Sequence, residues 1–345
     1  MARLCVVSFR LGGTDGVAIE SAKWIEALRA LGHEVRTLAG EGVADVLMGS
    51  LAMDAVSAPT FDALREALEG FDLVIVENLA SLPLNGAARE VLYEVLHGRA
   101  ALFHHHDLPW QRPHLAHLEG PRSGARWYHV TINELSRGQL RERGIDAVTI
   151  MNTFDCDPPL GRRDDTRRAL GVDHERLVLM PTRALARKNI EGALALCEAL
   201  GADFWLLGPA EDGYGATFDA LIEKSRVRLR RGTPPGVTVH DAYAACDLVV
   251  LSSTWEGFGN PVLESVTHRR ALARYPYPVA LEIESYGFRF FDLDDVEAVT
   301  SFLVDGDGDG DDEMLDRNLE VAREHFNITH LSERLGSLLE SMALF

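Results

Sequence analysis

The stretch Thr254-Trp255-Glu256-Gly257-Phe258-Gly259-Asn260-Pro261-Val262-Leu263-Glu264-Ser265 follows directly on the apolar run DLVVLSS. Residues 247–252 read as a buried strand, and Asn260-Pro261 reads as a helix start. Asparagine is a good N-cap, and proline suits the first helical turn because its missing N–H would be unpaired anyway. The stretch is therefore strand, glycine-rich loop, helix, the unit from which a doubly wound parallel sheet is built. A loop at a helix N-terminus offers backbone N–H groups to an anion. Glu256 and Glu264 flank that loop, and carboxylates beside a phosphate site need partners of their own, for which hydroxyl groups are suited. A ligand carrying both phosphate and many hydroxyls is a nucleotide sugar.

At 345 residues the chain is long enough for two domains rather than one core. With 46% hydrophobic and 25% charged residues it has the composition of a water-soluble globular protein. No apolar run reaches the ~20 residues of a membrane span, so no integral membrane association is expected and the reading is cytoplasmic. The net charge of −19 argues against nucleic acid as a partner. Residues 226–231, RVRLRR, are the only basic concentration and read as a solvated face. Cys5, Cys156, Cys197 and Cys246 have neither pairing nor metal spacing and read as reduced packing residues.

Working outward, apolar strand candidates alternate with helical patterns on both sides of a polar stretch, Asp155 to Thr166, which reads as the linker. The candidates are LCVVSF, HEVRTL, FDLVIVEN, RAALFHHH, RWYHVTI and AVTIMN before it, and RLVLMPT, ADFWLLG, GVTVH, CDLVVLSS and RRALARY after it. This alternation predicts α/β architecture with two parallel sheets. The expected boundaries are 1–155 for a first domain, 166–325 for a second, and 326–345 for a closing amphipathic helix that packs back on the first. The acidic segment 305–316 has aspartates and Gly310 near calcium-loop spacing. Asp312 nevertheless stands where a small apolar residue belongs, and Asp316 replaces the bidentate glutamate, so the segment reads as a solvated loop.

The segment HDAYAACDLVVLSSTWEGFGNPVLESV strongly resembles the donor-site signature of family-4 retaining glycosyltransferases: Glu, seven residues, Glu, with Gly-Phe-Gly between. The resemblance implies the GT-B fold, two Rossmann-like domains facing a cleft. It also implies that Glu256 binds hydroxyls of the donor sugar and that Glu264 binds the nucleotide ribose. A second match lies after RLVLMPT, where Arg183 and Lys188 correspond to an Arg and a Lys that hold the donor diphosphate. The whole chain has only three lysines, Lys23, Lys188 and Lys224, so a lysine there by chance is improbable. The ordinary alternatives are an acidic first helical turn, which covers Glu264 but not Glu256, and a surface lysine at a helix start.

Three further features match less specifically. Gly12 and Gly13 open a glycine turn after the first strand, where backbone can approach a phosphate or acceptor. His104 and His106 share one face of a strand that His105 does not; His106 is the best match to the family's strand-end histidine, with partly buried histidines as the plain alternative. One strand supplies too few ligands for a metal centre. Residues 151–155, MNTFD, stand where the family has Pro-Asn-Gly-Val-Asp, so Asn152 and Asp155 match and Thr153 departs.

By this reading the chain moves a hexose-type sugar from a UDP-, GDP- or ADP-linked donor to a hydroxyl of an acceptor sugar or small polar molecule, with retention. The site residues are Glu256, His106, Arg183 and Lys188 for catalysis, and Gly12, Gly13, Gly257, Phe258, Gly259, Asn260 and Glu264 for the donor. No metal or other cofactor is expected. The alternatives are a nucleotide-sugar epimerase or glycoside phosphorylase on the same fold, or a non-catalytic nucleotide-sugar-binding protein.

Overall fold

The computed structural model describes residues 1–173, 175–305 and 313–342. The acidic segment 305–316 falls largely outside these residues. The chain divides into two compact units, one of Met1–Thr153 with the stretch from Thr329 onward, the other of Phe154–Ile328.

The first unit carries seven parallel strands: β1 (Arg3–Leu11), β2 (Glu34–Gly42), β3 (Val46–Leu47), β4 (Leu73–Glu77), β5 (Ala101–His105), β6 (Trp127–Thr131) and β7 (Val148–Thr149). Their order is β3-β2-β1-β4-β5-β6-β7. Successive residues of β1 serve opposite faces, as strand geometry requires. Leu4 and Val6 pack with Trp24, Leu28, Ile75 and Leu102, whereas Cys5 and Val7 pack with Leu38, Val76, Leu92 and Phe103. The helix Thr329–Ser341 buries Leu331, Leu335, Leu338 and Leu339, one face of a helical repeat, against the Trp24 side.

The second unit has six parallel strands: β8 (Leu177–Met180), β9 (Asp203–Leu206), β10 (Leu229–Arg231), β11 (Leu248–Leu251), β12 (Leu272–Arg274) and β13 (Phe291–Asp292), in the order β10-β9-β8-β11-β12-β13. β8, β9 and β11 are buried at every residue, which is why β8 and β11 read as unbroken apolar runs and β9 as one after Asp203. Both orders reverse direction at one point, between β1 and β4 and between β8 and β11. In open α/β sheets ligands bind at that switch, outside the carboxyl ends of the strands.

Two expectations need correction. GVTVH is not a strand: Thr238 caps the helix Val239–Ala245 by accepting from the Asp241 N–H, and Asp241 reaches back to the Thr238 N–H. This reciprocal cap overrides the local β-branched pattern. The strand is instead β10, inside the basic cluster 226–231. It lies at the sheet edge, where Arg230 pairs with the buried Asp203 and Arg231 with Asp219. Charged residues on an edge strand discourage pairing with other chains. All four cysteines are free and buried, and burial pushes the Cys5 thiol up to about 12.

Candidate active site

In the second unit the residues singled out from sequence lie after the two strands that flank the switch point. After β8 the chain passes Arg183 and makes a single turn of 3-10 helix, Ala186–Lys188, whose last side chain points inward and is 7% exposed. After β11 it passes Glu256, 8% exposed. Lys188 Nζ meets Glu256 Oε1, and Arg187 Nη1 donates to Glu256 Oε2 at 2.6 Å. Backbone bonds hold the two loops together: Thr254 N–H donates to the Arg187 carbonyl at 2.9 Å, and Ser252 Oγ donates to the Lys188 carbonyl at 2.7 Å.

Burial by itself disfavours the Glu256 carboxylate. Lys188 and Arg187 more than offset it and hold the carboxyl down at about 2. Burial also dominates at Lys188, lowering its pKa against the pull of Glu256, with Arg187 and Arg183 acting in the same direction as burial. The result is a compact, desolvated cluster of one carboxylate and two cations. A buried pair of this kind adds little to stability compared with well-packed apolar side chains, and perturbed ionisable groups beside a switch point mark a functional site.

Arg183 is not part of that cluster. Its Nη1 lies 2.6 Å from Glu211 Oε2, with both side chains substantially exposed. Arg187 occupies the place on Glu256 instead. Its position inside R-A-L-A-R-K gave a weak signal, since the spacing drew attention to the outer pair.

The loop 257–259 differs from expectation in its cap. The helix Asn260–Thr267 has Gly259, not Asn260, at its N-cap, with φ of 90°. Tyr277 explains this: its buried hydroxyl donates to the Phe258 carbonyl at 2.9 Å and would stand 2.0 Å from any Cβ on Gly259. Only glycine fits there, and the φ is one that glycine adopts at no cost. Phe258 itself faces inward against Phe154 and Phe326. Among the described residues, the N–H groups of Phe258 and Gly259 donate to no acceptor within the protein. Two unspent donors at a helix N-terminus can receive a phosphate.

Glu264 is not in the first helical turn, which holds no acidic residue. It lies one turn further, on the same face as Asn260, where the helix dipole has fallen off. Tyr243, fully buried in the helix Val239–Ala245, donates its hydroxyl to Glu264 Oε2 at 2.7 Å and fixes that oxygen. Tyr243 and Tyr277 were not foreseen. Tyr277 sits in the stretch YPYPVALE, residues 275–282.

In the first unit, Gly12 follows β1 with φ of 73° and backs onto Val43, so a side chain there would clash. Gly13 precedes Asp15, which caps the helix Gly16–Ala30 and pairs with Arg10. Past the end of β5, His106 is 4% exposed and its Nε2 lies 2.8 Å from Glu77 Oε2. His104 Nδ1 lies 2.9 Å from the same oxygen, while its ring stacks on Trp24 at 3.9 Å. His105 points the other way, to Ser81 and His129. Glu77 on β4 joins the two histidines of β5 and its end, and one possible ligand atom from each of the three lies within 4.8 Å of the others. Asn152 and Thr153 are buried, and the Thr153 carbonyl accepts from Lys23 Nζ.

No family model matches the chain. It is 23% identical to a mannosylglucosylglycerate synthase of Thermotoga maritima, over 97% of this chain and 99% of that protein. A mannosylglucosylglycerate synthase of Petrotoga mobilis is 24% identical over 84% of this chain and 86% of its own length. Among solved structures, Anabaena HepE in complex with UDP and glucose superposes with a TM-score of 0.71 at 17% identity, covering 99% of this chain and 100% of the other. Sucrose-phosphate synthase from Thermosynechococcus elongatus gives a TM-score of 0.75 at 15% identity, covering 99% of each chain. No helix among the described residues is long and apolar enough to cross a membrane. Two doubly wound parallel sheets, the relatives and the fold neighbours agree: the chain is a glycosyltransferase with the GT-B fold.

Proposed function

We propose that the chain is a retaining transferase of the family-4 kind that moves a hexose-type sugar from a nucleoside diphosphate donor to an acceptor hydroxyl. The observation that carries this reading is the Glu256–Lys188–Arg187 cluster beside the two unspent loop amides, with Glu264 one turn along the same helix. The amides and Lys188 suit a diphosphate, Glu256 suits sugar hydroxyls, and Glu264 suits a ribose. Arg183, on an exposed partner, joins Lys188 on the diphosphate.

The chemistry follows from where charge develops. As the bond from anomeric carbon to phosphate oxygen lengthens, negative charge grows on the leaving diphosphate and positive charge on the sugar. Lys188, Arg187, Arg183 and the loop amides meet the first, and the Glu256 carboxylate faces the second. The departing phosphate oxygen takes the acceptor's proton on the same face of the sugar, which retains configuration without an enzyme nucleophile. With cations supplying the charge neutralisation, transfer needs no divalent metal.

A thermal-shift panel of UDP-, GDP- and ADP-sugars, repeated in EDTA, tests donor binding. The mannosylglucosylglycerate synthases put a mannosyl donor and a glucosylglycerate acceptor first on the panel. One nucleotide class is expected to raise the melting temperature with and without EDTA, since a ligand at a hundredfold its Kd stabilises by about 2.7 kcal/mol. No shift with any donor, or a shift that EDTA abolishes, contradicts the reading.

A further inference from the structure

We propose that Tyr277 is a positioning residue for the donor's diphosphate: by holding the Phe258 carbonyl it orients the peptide to Gly259, so that the Gly259 N–H is presented to a phosphate oxygen. This rests on the proposed transferase reading, which gives the loop 257–259 to the diphosphate, and deepens it.

The sequence of the loop leaves the direction of that peptide open. Phe258 stands between Gly257 and Gly259, and glycine takes either sign of φ at little cost. The peptide bond between Phe258 and Gly259 is trans, so its C=O and N–H point in opposite directions. One orientation offers an N–H to an incoming anion. The reverse offers a carbonyl oxygen, which repels it. The Phe258 ring, packed against Phe154 and Phe326, anchors the side chain but not the peptide that follows.

Tyr277 decides between the two orientations. It reaches the loop from the neighbouring strand: β12 lies beside β11, and Tyr277, three residues past the end of β12, is the N-cap residue of the helix Pro278–Glu284. Its backbone is extended, as a residue before proline prefers. The Tyr277 N–H donates to the Tyr275 carbonyl at 2.9 Å, and the Tyr275 N–H donates to the Leu251 carbonyl at the end of β11 at 3.0 Å. From this anchored position the fully buried side chain donates its hydroxyl to the Phe258 carbonyl at 2.9 Å. With the carbonyl drawn inward, the Gly259 N–H faces the other way, and Gly259 itself is partly exposed. Burial, and after it the charge of Glu256, push the Tyr277 hydroxyl well above its ordinary pKa, so it remains a donor. The fit is close on both sides, since any Cβ on Gly259 would stand 2.0 Å from that hydroxyl. A carbonyl turned into a core needs a partner, and Tyr277 supplies it. The amide is thereby aimed before the donor arrives, and a preorganised donor needs no reorganisation as charge develops on the diphosphate.

The test measures Kd for UDP, GDP and ADP, and for uridine, guanosine and adenosine, in the natural protein and in Tyr277→Phe. Phenylalanine keeps the ring and removes only the hydroxyl. For the base that the natural protein accepts, the variant is expected to bind the diphosphate about tenfold more weakly, as befits one hydrogen bond to a charged group, and the nucleoside as before. Equal weakening of diphosphate and nucleoside would make Tyr277 a residue of the fold alone and overturn the proposal. Unchanged diphosphate binding would overturn it too, and both results leave the transferase reading standing. A natural protein that binds none of the three diphosphates would remove that reading and this proposal with it. Should Tyr277→Phe fail to fold, or the nucleoside bind too weakly to measure, NMR of the natural protein decides. The Gly259 amide proton is expected to move downfield on addition of the diphosphate, and an unmoved resonance at saturation contradicts the proposal.

Discussion

Replacing Lys188 with alanine is expected to cut donor affinity and turnover together. A charge-assisted contact to phosphate contributes about 1.5–3 kcal/mol, or roughly one to two orders of magnitude in each constant if the contact strengthens as the diphosphate departs. The structure adds a second consequence. Lys188 and Glu256 form a buried pair, so the variant leaves a buried carboxylate with Arg187 as its remaining cation. Removing one partner of a buried pair outright costs about 3–5 kcal/mol; Arg187 should hold the loss below that range. Calorimetric titration of the donor, steady-state turnover and a melting curve on the same preparation check all three effects. Wild-type donor affinity and turnover in a folded Lys188→Ala protein would remove Lys188 from the site.

Glu256→Gln and Glu264→Gln are expected to fail differently. In the absence of ligand Glu256 neutralises Lys188 and Arg187, which an incoming diphosphate also needs. Removing its charge should leave bare nucleoside diphosphate bound at least as tightly as in the natural protein. The same change removes the carboxylate that faces positive charge at the anomeric carbon, so turnover should fall at least tenfold, about 1.4 kcal/mol in barrier. Glu264→Gln should weaken the bare nucleotide and the full donor alike, since Tyr243 presents that carboxylate and the helix carries it away from the loop. Titration of both ligands into both variants decides this. If Glu256→Gln weakens the bare nucleotide as much as Glu264→Gln does, the division between sugar and ribose is wrong.

The strands were legible where a buried parallel sheet writes continuous apolar runs, as in β8 and β11, and where an N-cap starts or a glycine ends the following helix. GVTVH misled because valine and threonine favour strands, while the Thr238–Asp241 cap that decides the matter lies three residues across the boundary. The site was legible as far as local spacing reached. Glu256, Lys188 and the glycines lie in short motifs, and the pairing of Glu256 with Lys188 follows from adjacency of β8 and β11, which no motif states. Glu77 was invisible for the same reason. It closes an apolar strand as a lone charged residue, a signal in itself, but its partner is set by the register of β4 against β5. Tyr243 and Tyr277 act from behind the site through a single hydroxyl each, and a buried tyrosine in a sequence reads as core.

Transfer with retention from a nucleotide sugar is read in the configuration of the product. An α-linked donor of the nucleotide class found by thermal shift would be incubated with acceptor, and the anomeric proton coupling of the first-formed product read by NMR. An α-linked product and a released nucleoside diphosphate are expected. A β-linked product, an epimerised donor or a free sugar phosphate would contradict it.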